Sequence, residues 1–225
     1  YDYPNTTTTK VVFDASFKNY YPVSTTYWFS HYQALTTFVG WENLNTENVR
    51  NMSCMFMCCS ALETLDLRKF NTSKVKNMYR MFEECSSLKT LDIRNFNTEN
   101  VRNMTAMFME CSALKTLDLS NLNTNKVEYM AGMFRRSSSL TELNLSNFNT
   151  DRVNSMGNMF SQCESLKSLD IKSFNTTNVK NMHGMFYDCK ALQSLDIKNF
   201  NTTNVMDMGF MFHGCETLKT LDLRG

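Results

Sequence analysis

The chain has little of what most functional classes require. Charge is nearly balanced over 225 residues, with 23 basic and 22 acidic side chains and a net charge of +1. A nucleic-acid footprint or an anionic membrane surface calls for a patch of one sign, so the balance argues against both partners. No apolar run approaches the ~18–20 residues of a spanning helix, so no membrane insertion is expected. Histidine is scarce, with only His31, His183 and His213, and these show no ligand spacing. Six of the eight cysteines fall on a 26-residue spacing rather than in the close pairs of a zinc ribbon or redox motif. No metal or cofactor is expected. No signal peptide is visible and the chain begins at Tyr1 rather than Met, so it reads as a mature fragment or a piece made for expression, without its natural leader and tail.

What is present is a repeat. A 26-residue unit starts at Asn45, Asn71, Asn97, Asn123, Asn149, Asn175 and Asn201, without insertion or deletion, and the last copy stops one residue short at Gly225. A fixed period of this length means stacked supersecondary units rather than a globular enzyme with one unique site. Residues 45–225 are therefore seven repeats, and residues 1–44 an N-terminal cap. Within the cap, Tyr1 to Lys10 is expected as a poorly ordered lead-in or an edge strand. Trp28 to Leu44 reads as a degenerate half-repeat, with Phe29 aligned to Phe56, Leu35 to Leu62, Phe38 to Leu65 and Tyr32 in the cysteine slot.

Two periods alternate inside each copy. Val75, Met78, Met81, Phe82, Cys85 and Leu88 recur at steps that suit the apolar stripe of a short helix, with Thr72 as its N-cap. Leu91 and Ile93 then alternate around Asp92, the period of a strand. The expected fold is an α/β repeat: a leucine-rich-repeat-type solenoid with a parallel sheet on one face and short helices on the other. Methionine fills two slots per copy, 14 of the 17 present, and shares the stripe with Val and Phe, so it reads as core rather than a soft-metal site. Cys59, Cys85, Cys111, Cys163, Cys189 and Cys215 share one slot, with Ser137 in the fourth copy. They read first as buried thiols, although same-slot neighbours about 5 Å apart leave disulfides between coils geometrically open.

The spacing Leu88-x-x-Leu91-x-Ile93-x-x-Phe96 follows the leucine-rich-repeat outline. The stretch LDLRKFNTSKVKNMYRMFEECSSLKTLDIRNFNT, the recurring FNT-x-x-V-x-x-M-x-x-MF-x-x-C pattern and the entry segment FDASFKNYYPVSTTYWF resemble the BspA-like leucine-rich repeats of bacterial surface proteins. The resemblance runs from about Val11 to Gly225. It implies a secreted or cell-surface protein used for adhesion or ligand recognition, with no enzymatic activity and no cofactor. Departures are Tyr32 and Ser137 in the cysteine slot and Leu122 in place of the closing Phe. No functional residues carry over from it.

The outward strand position holds Asp66, Asp92, Asp118, Asp170, Asp196 and Asp222, with Asn144 in the fourth copy. Carboxylates stacked about 5 Å apart are expected to raise one another's pKa, relieved by flanking Arg and Lys columns. The column reads either as a solvated, charge-laced face or as a polar surface for a protein or glycan partner. Asp92, Arg94, Lys115, Asp118, Ser120, Glu142, Asn144, Ser146, Lys167 and Asp170 are the candidate ligand-binding residues. The fourth copy breaks the charged columns, so the expectation for a discrete spot falls there. The rival readings are a structural spacer or stalk, or an intracellular protein-interaction scaffold. Because the last coil ends without a cap, its apolar edge is expected either to be covered by further repeats or to pair end to end with another copy.

Overall fold

The architecture is that of a computed structural model describing residues 3–223. Arg224 and Gly225, the end of the chain in which the uncapped edge was expected, lie outside the described residues.

Each 26-residue copy forms one coil, and consecutive coils pair in parallel along two lines. On the first line β3 (Thr64–Asp66) pairs with β4 (Thr90–Asp92), β5 (Thr116–Leu117) with β6 (Glu142–Leu143), and β7 (Ser168–Leu169) with β8 (Ser194–Leu195). A bridge from Asn144 to Asp170 links the coils of β6 and β7. The register is slot on slot, Thr64 opposite Thr90 and Leu65 opposite Leu91. On the second line single bridges run Asn51–Asn77–Asn103–Tyr129–Ser155–Asn181–Asp207. The strands stay short because each outward Asp turns the chain at once. The Asp66 carboxylate accepts the Arg68 amide at 3.0 Å, an Asx turn that ends the strand.

The expected helices do not form. Among the described residues the repeats contain no α-helix, and the helical segments of the chain are two 3-10 stretches, Ala15–Asn19 and Trp41–Asn43. In the second copy, Met81, Cys85 and Leu88 donate to carbonyls three residues back, at Met78, Phe82 and Cys85. The amides between them leave the coil: Arg80, Phe82 and Glu84 donate to Thr105, Met107 and Met109 of the next coil. An α-helix needs every amide for its own i−4 carbonyl, and here alternate amides join coil to coil. Two residues per coil are left-handed, Arg80 (φ 53) and Glu84 (φ 57) in this copy. Each such residue costs about 1–2 kcal/mol and blocks helix propagation. The apolar step of three is therefore the span of successive three-residue turns.

Thr72 is likewise not an N-cap. Its hydroxyl donates to the Asn97 carbonyl at 3.0 Å and accepts the Asn97 amide at 2.8 Å, pinning one coil to the next. Thr124, Thr150 and Thr176 repeat both bonds.

The core is a set of columns. Phe56, Phe82, Phe108, Phe134, Phe160, Phe186 and Phe212 stack with centroids 5.7–5.8 Å apart and planes within 10° of parallel. That separation of parallel rings is the offset stack their quadrupoles favour. The methionine columns lie beside them, fully buried from Met52 to Met185. All eight cysteines are free thiols. In the shared slot each Sγ donates to a phenylalanine carbonyl of the preceding coil, as Cys111 does to Phe82 at 3.1 Å. Ser137 makes the same bond to Phe108 at 2.7 Å, so serine keeps the slot's geometry.

Coil-like pairing also reaches upstream of Trp28. Ser24 bridges Asn51, β1 (Lys10–Val12) pairs in parallel with β2 (Thr37–Val39), and Asn5 bridges Tyr32. Of the lead-in, Tyr1 and Asp2 lie outside the described residues, Asn5 makes a single bridge, and only Lys10 enters the expected strand. Gly40 accommodates the extra residue of this segment. Its φ is 69°, and the Phe13 carbonyl sits where a Cβ would be, so only glycine fits. Trp41 follows and packs on Phe38, Phe13 and Phe70 at 4.2–5.2 Å, while Phe29 stacks on Phe56 at 5.8 Å.

Candidate functional site

The strand line presents a polar face. The residue before each inward leucine points outward and forms a row: Thr64, Thr90, Thr116, Glu142, Ser168 and Ser194, all exposed. The residue after it is the aspartate of the Asx turn. In the first two coils that aspartate also holds an arginine in a planar fork. Arg68 reaches Asp66 through Nε at 2.9 Å and a terminal nitrogen at 2.6 Å. Arg94 reaches Asp92 at 3.0 and 2.8 Å. Bidentate pairing of this kind fixes both side chains in orientation. Between the threonine row and the forks lies an open depression of about 510 Å³ across the first three coils.

The aspartate column does not behave as a stack of repelling acids. The Arg68 and Arg94 guanidiniums, and then the turn amides, hold Asp66 and Asp92 down at about 2. Ser120 lowers Asp118 through its hydroxyl and amide. Repulsion between Asp66 and Asp92 is a lesser effect, because each carboxylate's nearest donors lie in its own coil. The expected upward shift is thus reversed at these three positions. The fourth coil keeps the turn without the charge, since Asn144 Oδ1 accepts from the Ser146 amide at 3.1 Å and hydroxyl at 2.8 Å.

Of the residues singled out from the sequence, Asp92, Arg94 and Asp118 line the depression, joined by Thr64, Thr90, Thr116, Asp66 and Arg68. Lys115, Ser120, Glu142, Asn144, Ser146, Lys167 and Asp170 lie outside it. Glu142 interrupts the threonine row, and the Lys115 carbonyl serves as acceptor for the Thr141 amide and hydroxyl. The depression therefore belongs to the first three coils rather than to the fourth, where the break in pattern pointed. The threonines were legible as an outward column at the slot before the inward leucine. The forks were not, since whether Arg68 and Arg94 turn back onto their own coil is a matter of rotamer. Among the described residues no group of three or more His, Cys, Asp or Glu is placed to hold a metal ion, and no helix is long and apolar enough to cross a membrane.

The family described as "Mycoplasma protein of unknown function, DUF285" matches residues 23–137 and residues 111–223. No curated protein matches. Among solved structures, a leucine-rich repeat protein of T. pallidum is 18% identical with a TM-score of 0.48, covering 81% of this chain and 71% of that one. A leucine-rich cell surface protein of Faecalibacterium prausnitzii is 18% identical with a TM-score of 0.44, covering 86% and 67%. A leucine-rich repeat protein of Eubacterium ventriosum is 17% identical with a TM-score of 0.43, and this chain spans 59% of its length.

Proposed function

We propose that this chain, which belongs to the family described as Mycoplasma protein of unknown function, DUF285, is a non-catalytic recognition module of a bacterial surface protein, built as a BspA-like leucine-rich-repeat solenoid. The observation that carries this reading is the depression on the strand face, where three threonine hydroxyls alternate with rigid Asp–Arg forks. Such a surface offers donors and acceptors in a fixed lattice, and because its three carboxylates are all shifted down they form no acid–base pair of differing environment. It suits many weak polar contacts to an extracellular protein or glycan, with affinity gained by tandem display.

The test is binding of the 225-residue chain to an array of extracellular-matrix proteins and glycans, beside a Thr90→Lys, Thr116→Lys double variant. Both threonines are exposed and leave the Asx turns intact, so the variant fills the depression without disturbing the coils. Binding lost in the variant supports the strand face. Binding that survives it moves recognition elsewhere, and an empty array favours a spacer.

A further inference from the structure

The turn line of the later coils carries a feature that the strand face does not use. Five of the seven glycines, Gly132, Gly157, Gly184, Gly209 and Gly214, fall in this strip of the last four coils. Gly132 (φ 62) and Gly184 (φ 56) occupy the first left-handed slot, where other coils carry Cys54, Arg80, Ala106, Asn158 and Phe210. At Gly184 the missing side chain leaves room for a groove of about 390 Å³, lined among others by Arg135, Asn158, Gln162, His183, Tyr187 and Phe210.

The groove has a cationic end and an aromatic end. At the cationic end Arg136 is satisfied, donating to Glu110 at 2.9 Å and to Gln162 at 2.9 Å. Arg135 is not. It forms no ion pair among the described residues, and its Nε is buried with no hydrogen-bond partner. Of the carboxylates of the later coils, Asp207 is committed to His183 at 3.2 Å and to the Gly209 amide at 2.8 Å. At the aromatic end Tyr187 and His213 stack at 5.4 Å, 13° from parallel, and Phe210 meets both edge-on. Phe210 is 62% exposed and left-handed at φ 57. A bulky ring in that conformation and in water is unfavourable twice over.

We propose that this groove is a second binding site, for a carboxylate-bearing saccharide. An unpartnered guanidinium selects a carboxylate through paired N–H donors. Exposed ring faces accept the apolar face of a sugar. The Asn158 and Gln162 amides, each both donor and acceptor, suit hydroxyl groups. The groove runs across three coil-to-coil steps of about 5 Å, which matches a short run of linked sugar rings lying along the stack.

The experiment titrates the 15N-labelled chain with a hyaluronan tetrasaccharide, and in parallel with the same tetrasaccharide after reduction of its carboxyl groups. The expected result is saturable binding of the acidic sugar, with amide shifts centred on Gly132, Gly184 and Phe210 rather than on Thr90 and Thr116. Arg135→Gln should weaken it about ten- to a hundredfold, the loss of charged hydrogen bonds. Tyr187→Ala should also weaken it, and both variants should keep the wild-type amide pattern in the first three coils, which reports on folding. The proposal is overturned by absence of saturation, by equal binding of the reduced sugar, by unchanged affinity in folded Arg135→Gln, or by shifts confined to the strand face. A glutamate-rich peptide that shifts the same amides where the saccharide does not would also overturn it.

Discussion

Thr124→Val tests how the coils are held together. Thr124 is 1% exposed, and its hydroxyl donates to the Asn149 carbonyl at 2.8 Å and accepts the Asn149 amide at 2.8 Å. Valine has nearly the same shape, so no cavity opens. Two hydrogen bonds are lost, and a backbone amide and carbonyl are left unpaired at the seam between the fourth and fifth coils. At about 1 kcal/mol per bond, with a desolvation penalty for the orphaned groups, the loss is about 2–4 kcal/mol. Burial of the new methyl returns about 1 kcal/mol, which leaves a net cost of about 2 kcal/mol. Thr124→Ser keeps both bonds and loses one methyl, costing about 1 kcal/mol. Urea unfolding followed by far-ultraviolet circular dichroism measures both. Hydrogen exchange then says where the damage falls. The Asn149 amide, one coil away, should exchange faster, while Lys126 and Val127 in the same coil keep their rates. A valine variant no less stable than the serine one, or protection lost at Lys126 and Val127, would refute the inter-coil bond and restore the helix cap.

Three further outcomes follow from the same geometry. Burial pushes the Cys111 and Cys163 thiols up to about 12, so they should resist alkylation in the folded chain while half-buried Cys215 reacts; rapid native-state labelling of Cys111 would contradict the column. Burial likewise raises the Glu83 carboxyl from 4.5 to about 7, with Arg80 opposing it only in part from 3.2 Å. A raised folded-state pKa means that the stability it contributes is complete below 4.5 and is lost as pH rises through about 7. Glu83→Gln should therefore raise the urea midpoint at about pH 9 and change it little at about pH 4; an equal effect at both would show that the carboxyl does not titrate with folding. Finally, Gly184→Ala puts a Cβ 2.7 Å from Asn158 Oδ1 in a left-handed residue, so a loss of about 1–2 kcal/mol is expected in thermal unfolding, and a neutral result would mean that the slot has relaxed.

Much of the fold was legible because a repeat multiplies weak signals. The slot identities told which side chains share a column, hence the phenylalanine stack, the methionine core and the outward aspartates. The interior of each coil was misread for a specific reason. Steps of three and four residues between apolar positions describe both a helix face and a chain of three-residue turns, and Arg80 and Glu84 do not announce a left-handed backbone as glycine would. The aspartate column was misjudged because spacing between coils is visible in a sequence, while the nearer donors at Arg68 and Arg94 depend on rotamer. The turn-face groove left a faint mark that went unread, the crowding of glycine into the last four copies.

A period without insertion leaves each slot one neighbour of its own kind on either side, and that is enough to set like coils in register with buried columns of Phe, Met and Cys. What each amide does is settled by the packing of one coil on the next. Whether the amide of Phe82 bonds within its own coil or crosses to Met107 depends on how close the next coil lies, and that contact replaces helices with turns, ties Thr124 to Asn149, and leaves Arg135 without an ion pair among the described residues, in one groove with half-buried Tyr187 and exposed Phe210.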